Sequence, residues 1–178
     1  MNIPPTTPAS GMVFVPQGST PRTVTPSYEE RLERWFYKPL EDMETNPDLS
    51  FALISLLLPL IERYLRYKTG MADSEKFSQG HRSWSVLSPI LGCTDDQAYA
   101  VWQCLRNGLL HRAAIKQTTA FSCALHRDTA GCVEVVGSHL KVNPYLIRDA
   151  LIPKFRDDVE MWLDADYALM EEYVVETP

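Results

Sequence analysis

The chain has 178 residues and a mass of 20.2 kDa, which suits one domain or one domain with a tail. Hydrophobic residues make up 45% of it and charged residues 22%, which excludes a collagen-like, coiled-coil or wholly disordered chain. The longest apolar run, residues 51–61, is too short to span a bilayer. There is no signal-like N-terminal segment and no CxxC pair among the four cysteines. We therefore expect a cytoplasmic protein with reduced thiols and no membrane partner.

Charge is distributed unevenly along the chain, whose net charge of −6 disfavours nonspecific nucleic-acid binding. Residues 97–127 contain four basic side chains and no acidic one, whereas residues 157–178 contain eight acids and no base. The middle of the chain is therefore expected to face an anion, and the C-terminal segment to face solvent or a basic partner. The alternative is that both are ordinary solvated faces.

Residues 1–26 are predicted to form a flexible Pro/Thr-rich tail. Six prolines alternate there with Thr, Ser and Gly, and Arg22 is the only charged side chain. Such a composition buries too little apolar surface to offset its chain entropy. Only residues 12–15 have the pattern of a short edge strand.

Helix-capping residues mark two helix starts in the first half of the chain. Ser27 with Glu30 forms a capping box, and Pro39 is expected to end or kink the helix that follows. Asn46 followed by Pro47 is the second start, because Asn caps well and Pro suits the first helical position.

The second helix is predicted over residues 48–68, with Gly70 as its left-handed terminus. Apolar residues repeat on nearly every side of it, so it is expected to be central and buried. Pro59 inside it predicts a kink. Residues 74–90 that follow are ambiguous and are consistent with two short turns.

The second half of the chain predicts a helix, a hairpin and a last helix. Thr94 with Gln97 opens a helix that should run to about residue 116. Residues 120–126 and 132–136 are β-prone with turn residues between them, which predicts a hairpin that residues 139–142 extend. Asn143 before Pro144 opens a last helical region to about residue 173, which Pro153 is expected to interrupt. The whole is a mostly helical bundle, one domain over residues 27–178, with a small β-hairpin at about 120–142 before the C-terminal helix.

Familiar catalytic and metal motifs are absent. There is no GxGxxG, no P-loop, no nucleophile elbow and no HExxH. Cys123, His126, Cys132 and His139 are conceivable zinc ligands, but Cys123 and His126 lie three apart on a predicted strand and should point to opposite faces. We therefore predict no metal site and no cofactor, with these side chains packed in the hairpin or exposed on it.

One polar motif stands out late on the helix that begins at Thr94. Asn107 and His111 are four residues apart and share a helix face, and Arg106 borders that face. Metal-free RNA cleavage needs a group that moves the 2′-hydroxyl proton, which His does near neutral pH. It also needs a cation for the phosphorane-like charge, which Arg supplies. Gly108 lets a substrate or a second helix come close.

The motif Arg106-Asn107-x3-His111 resembles the R-x(4–6)-H signature of HEPN domains. These are small helical bundles, commonly dimeric, and many are metal-independent ribonucleases of toxin–antitoxin and anti-phage systems. The resemblance implies His111 as general acid/base, Arg106 as charge stabiliser and Asn107 as an orienting or phosphate-binding group. Arg112 and Lys116 would then contact the RNA backbone. It also implies a homodimer and an antitoxin or regulatory protein partner.

Two features leave alternatives open. HEPN motifs usually lie on a long helix that continues past the His, whereas a hairpin is predicted soon after His111. Arg106 in a salt bridge and His111 partly buried at a helix end would explain the motif without catalysis. The alternative function is then a non-catalytic helical interaction module that docks through its acidic C-terminal segment.

Deleting residues 1–24 should shift the thermal unfolding midpoint by no more than about 2 °C, because that segment has few apolar groups to bury. Calorimetry on the full and shortened chains measures this shift. A larger loss would mean that residues 12–15 dock on the folded domain.

Overall fold

The computed structural model describes residues 28–43, 47–112, 114–158 and 161, and the side chains of residues 28, 47 and 110–112 lie outside the description. The predicted tail, the caps at Ser27 and Asn46 and most of the acidic C-terminal segment also lie outside the described residues. The fold is mostly helical, with a small three-stranded sheet before the last described helix, as the sequence predicts. The elements are α1 (Tyr28–Leu32), a π-helical turn (Glu33–Tyr37), α2 (Lys38–Asp42), a 3₁₀ turn (Pro47–Leu49), α3 (Ser50–Thr69), α4 (Ser83–Leu91), α5 (Asp95–Arg112), β1 (Ser122–Leu125), β2 (Val133–Val136), β3 (His139–Val142) and α6 (Pro144–Asp157).

Helix α3 is the centre of the bundle, which confirms the prediction for residues 48–68. It packs against α4, α5 and α6 and buries eight side chains. Gly70 ends it in the left-handed conformation, at φ 60°. Full burial of one such Leu or Ile stabilises a fold by about 1.5–3 kcal/mol relative to exposure. The buried set is Leu53, Ile54, Leu57, Leu58, Leu60, Ile61, Tyr64 and Leu65.

Pro39 does not end the first helical region, contrary to one expectation. Helical structure continues from Tyr28 to Asp42 through the π-helical turn, and Pro39 lies in the first turn of α2. Lys38 N–H donates to the carbonyl oxygen of Glu33, five residues back. The π-helical turn thus lies just before Pro39, which has no backbone N–H to donate.

The predicted caps of the later helices are present. Thr94 N–H donates to Gln97 Oε1 at 3.0 Å, and Gln97 N–H donates to Thr94 Oγ1 at 3.3 Å. Asn143 Oδ1 accepts the N–H groups of Tyr145 and Leu146 at 3.1 and 3.2 Å. These bonds satisfy donors that a helix start leaves without an intrahelical acceptor.

The segment 74–90, which the sequence left ambiguous, contains the regular helix α4. Pro89 lies inside this helix, and Gly92 ends it in the left-handed conformation. Ser83, Trp84, Leu87 and Leu91 are buried along it. The apolar spacing of these residues was the available signal, and the proline and nearby glycine obscured it.

The predicted strand pairing is wrong. The hairpin joins β2 and β3 through Gly137 and Ser138, and β1 pairs with β3 in parallel, so the strand order is β1-β3-β2. Gly137 has φ 62°, which suits a two-residue hairpin loop. β3 takes the centre because its backbone bonds β1 at one edge and β2 at the other, and its side chains alternate between the buried Leu140 and Val142 and more exposed residues.

None of the helices within the described ranges is both long and apolar enough to cross a membrane. The longest of them, α3, has 20 residues and charged side chains in its last turns.

Two arginines of α6 fasten the α1–α2 region to the bundle. Arg148 Nη1 donates to the carbonyl oxygens of Leu40, Glu41 and Met43 at 3.3, 3.5 and 2.7 Å. Carbonyl groups at the end of a helix such as α2 have no intrahelical N–H to accept from, so Arg148 supplies the missing donor. The Arg148 side chain is only 13% exposed. Arg156 forks onto Glu33 and Glu41 with contacts of 2.7 Å to each, but it is 38% exposed.

Arg148→Ala should lower the free energy of unfolding by about 1–3 kcal/mol, because it strips partly buried carbonyls of a charged donor. Arg156→Ala should cost less, about 1 kcal/mol, since exposed ion pairs are screened by water. Urea denaturation measures both, with the exposed Arg34→Ala as the matched control. Equal effects for Arg148→Ala and Arg34→Ala would contradict this assignment.

Candidate functional site

A cleft of about 400 Å³ lies between α3, α5 and the loop that follows α3. Arg106 and Asn107 both line it from α5, so the structure brings these two predicted site residues together. Glu62 and Arg66 line it from α3, and residues 73–77 form the loop side. Its volume lies within the ordinary range for small-ligand sites, about 300–1,000 Å³.

Arg106 forms an ion pair inside this cleft. Its Nε lies 3.5 Å from Glu62 Oε2, and its side chain is 33% exposed. Glu62 Oε1 also accepts from Arg66 Nη2 at 3.1 Å, so one carboxylate is shared by two guanidinium groups. These three side chains together carry a net charge of +1. The sequence around Arg106 contains no acidic residue, but the fold places Glu62 of α3 beside it.

Arg66 holds the loop wall of the cleft. Its Nη1 donates to Ala72 O at 2.7 Å, and its Nη2 reaches Glu75 O at 3.5 Å. The guanidinium lies 5.0 Å from the centre of the Phe77 ring. With Glu62 as its fourth partner, Arg66 is engaged in fixing the wall of the cleft, and Arg106 is the cation next to Asn107 on α5.

His81 is largely buried and contacts Glu75 on the loop side of the cleft. Its side chain is 9% exposed, and both ring nitrogens are engaged. Nδ1 accepts the backbone N–H of Ser83 at 3.2 Å, so Nε2 carries the proton and donates to Glu75 Oε1 at 2.8 Å. This bond, followed by those from Arg82, lowers the pKa of the Glu75 carboxyl. Glu75 is thereby held as a carboxylate at the rim of the cleft.

The remaining predicted site residues lie at the end of α5 and just beyond it. The backbone places His111 on α5, one turn after Asn107, but its side chain and that of Arg112 lie outside the described part. Lys116 is exposed, and its backbone N–H donates to Cys104 O at 2.9 Å. Helix α5 ends at Arg112, before the predicted residue 116, because the chain then folds back along the helix.

Gly108 is covered by this returning segment. A Cβ atom on Gly108 would lie 2.1 Å from Ala114 O and 2.5 Å from Lys116 N. The close approach expected of a substrate or a second helix is therefore made by the chain's own backbone. This corrects the role that the sequence assigned to Gly108.

The returning segment is anchored to the sheet as well as to α5. The Gln117 side-chain amide bonds both backbone groups of Cys123, at 2.8 Å to its N–H and 3.2 Å to its carbonyl. The buried thiols of Cys104 and Cys123 are also hydrogen-bonded, which together with burial raises the pKa of Cys123. Helix α5 and the segment that follows it are thus both tied to β1.

Sequence reasoning missed Glu62 and Glu75, since only the packing of α3 and its loop against α5 brings them to the cleft. It also missed His81, which bonds Glu75. No group of three or more His, Cys, Asp or Glu side chains that could hold a metal occurs among the described residues. Comparisons with protein-family models, curated proteins and solved structures find no match to this chain. The site is therefore interpreted from its own chemistry.

Gly108→Ala should destabilise the protein by about 1–3 kcal/mol or more, because its Cβ would overlap rigid backbone. An unobstructed Gly→Ala change inside a helix would instead stabilise by up to about 1 kcal/mol. Gly131→Ala is the matched control, since the nearest atom to its Cβ would be 3.9 Å away. Urea denaturation measures the free energy of unfolding of both variants. A stabilised Gly108→Ala protein would show that residues 114–116 do not cover the helix.

Proposed function

We propose that this chain is a HEPN-like, metal-independent endoribonuclease of a toxin–antitoxin or anti-phage system, and that it acts through Arg106, Asn107 and His111. The observation that carries the proposal is that Arg106 and Asn107 line one open cleft directly before His111 on the same helix. The cleft is of a size that suits a nucleotide-sized ligand.

The charges around Arg106 support a phosphate ligand. Two guanidinium groups share the single carboxylate of Glu62, so these three side chains carry a net charge of +1. The positive charge is local to Arg66 and Arg106, because Asp73, Glu75 and Lys76 also line the cleft and make its charged residues neutral in sum. An incoming phosphate competes with Glu62 for Arg106. A guanidinium group binds two phosphate oxygens at once, which is a stronger interaction than the single 3.5 Å contact between Arg106 and Glu62. In the transition state Arg106 would stabilise the added negative charge.

The continuity of α5 supports the pairing of Asn107 with His111. The helix runs through Arg112, so the two residues keep the i, i+4 relation that places them on one face. In the proposed reaction the imidazole takes the proton of the 2′-hydroxyl and later donates one to the leaving oxygen. Asn107 orients the imidazole or binds the phosphate, and Arg112 and Lys116 contact the RNA backbone.

The homodimer and the antitoxin or regulatory partner are proposals that rest on the resemblance alone. A two-fold axis would juxtapose two Arg106–His111 pairs around one cleft. Gly108 does not support this assembly, because the chain's own residues 114–116 cover it.

The second candidate is a non-catalytic helical interaction module. The ion pair between Arg106 and Glu62 favours it, because that pair gives Arg106 a role in joining α3 to α5 without any substrate. The two candidates differ in what removing His111 does, since a purely structural motif predicts no loss of RNA cleavage.

His111→Ala should lower RNA cleavage by about 10²–10⁴-fold, the usual contribution of a general acid/base. Arg106→Ala should be similarly severe, and Arg106→Lys should rescue poorly because an ammonium group lacks the guanidinium fork. The assay follows a labelled RNA, whose products should carry a 2′,3′-cyclic phosphate. Cleavage should persist in EDTA and fail on RNA with a 2′-methoxy group at the cut site.

Two variants are matched controls for this assay. His126→Ala removes a histidine of the sheet, and Arg34→Ala removes an exposed arginine of the π-helical turn, and both should cleave at the wild-type rate. Circular dichroism shows whether each variant is folded. Cleavage that needs Mg²⁺, or that survives His111→Ala, would overturn the mechanism, and no cleavage by the wild type would favour the interaction module.

A further inference from the structure

Two histidines meet on the outer face of the sheet, away from the cleft. His126 directly follows β1, and its N–H extends the ladder by donating to Val142 O at 2.8 Å. His139 begins β3 and lies opposite Ser122 in the parallel register. The two imidazole rings are edge to face, with centroids 6.4 Å apart.

The alternation of side chains along the strands explains this meeting. Cys123 and Leu140 are 3% and 0% exposed and point into the core, so Ser122, His126 and His139 share the opposite face. Ala124 lies between Ser122 and His126 on that face, and its small side chain leaves room for the two rings to converge. The alternation that places Cys123 and His126 on opposite faces of the sheet therefore also places His126 and His139 on the same face.

Each ring has its Nδ1 atom directed to an oxygen. Ser122 Oγ lies 2.6 Å from Nδ1 of His139, and Asp128 Oδ1 lies 3.8 Å from Nδ1 of His126. Among the described residues, no hydrogen bond or ion pair engages Nε2 of either ring. His139 is thus held as metal-binding histidines typically are, with one nitrogen on an oxygen partner and the other available to the ion. The Asp128 carboxylate lies near His126 but beyond hydrogen-bond distance.

The neighbouring charges are compatible with a bound cation. Lys141 lies on the same face, but its ammonium group is 3.5 Å from Glu134 on β2. Asp128 is 86% exposed and supplies a negative charge beside His126. Two imidazoles that bind one ion at about 2.0–2.1 Å have centroids roughly 5–6 Å apart, which is close to the 6.4 Å between these two rings.

We propose that His126 and His139 bind one divalent transition-metal ion of the zinc class through their Nε2 atoms, with water completing the coordination shell. Such an ion joins the end of β1 to the start of β3 and stabilises the sheet. The site is separate from the candidate nuclease cleft and does not depend on the proposed function.

The test is calorimetric titration of the tag-free, reduced full chain with Zn²⁺. We expect one ion per chain and a rise of several degrees in the unfolding midpoint, with no binding of Mg²⁺, which prefers oxygen ligands. His126→Asn and His139→Asn should each weaken Zn²⁺ binding at least tenfold. Cys132→Ser and His111→Asn are controls that should bind as the wild type does.

A second measurement does not depend on the folding of a variant. In NMR spectra of the wild-type chain, Zn²⁺ should shift the Nε2 resonances of His126 and His139 and leave both Nδ1 atoms uncoordinated. No binding at millimolar Zn²⁺ would overturn the proposal. So would binding that both histidine variants retain, or binding that His111→Asn or Cys132→Ser abolishes.

Discussion

The burial of α3 is the constraint on which the rest of the structure depends. Its apolar residues pack against α4, α5 and α6, so the positions of these three helices all depend on their contacts with α3. Leu53, Leu57 and Leu65 have no exposed surface at all. Because interiors pack at the density of crystals, a change of volume along α3 is transmitted to every helix around it.

The same helix connects the core to the cleft. Glu62 and Arg66 lie on the side of α3 that faces the cleft, beside α5 and the loop 72–77. Arg66 shapes the loop, and Glu62 holds Arg106. The electrostatics of the cleft are thus determined by how α3 and α5 pack, and a phosphate that binds there must displace or share a contact that also joins two helices.

Local features of the fold were predictable because neighbouring residues produce them. The reciprocal Thr94–Gln97 bonds, the Asn143 cap and the left-handed Gly70 all follow from side chains or conformations within a few residues of each helix end. The strand pairing was not predictable in this way. Turn residues after β1 suggested a hairpin, yet β3 lies between β1 and β2 and pairs in parallel with β1, a contact that no turn between neighbouring strands records.

The sequence by itself determined the mostly helical class, the buried central helix and the placement of Arg106, Asn107 and His111 along one helix, because periodicity and capping act locally. The tertiary structure decided what lies next to these residues. It placed Glu62 beside Arg106 and residues 114–116 over Gly108. It also brought His126 to His139 across two strands. Such contacts join residues far apart in the chain, and they depend on how helices and strands pack together, which no local pattern of residues records.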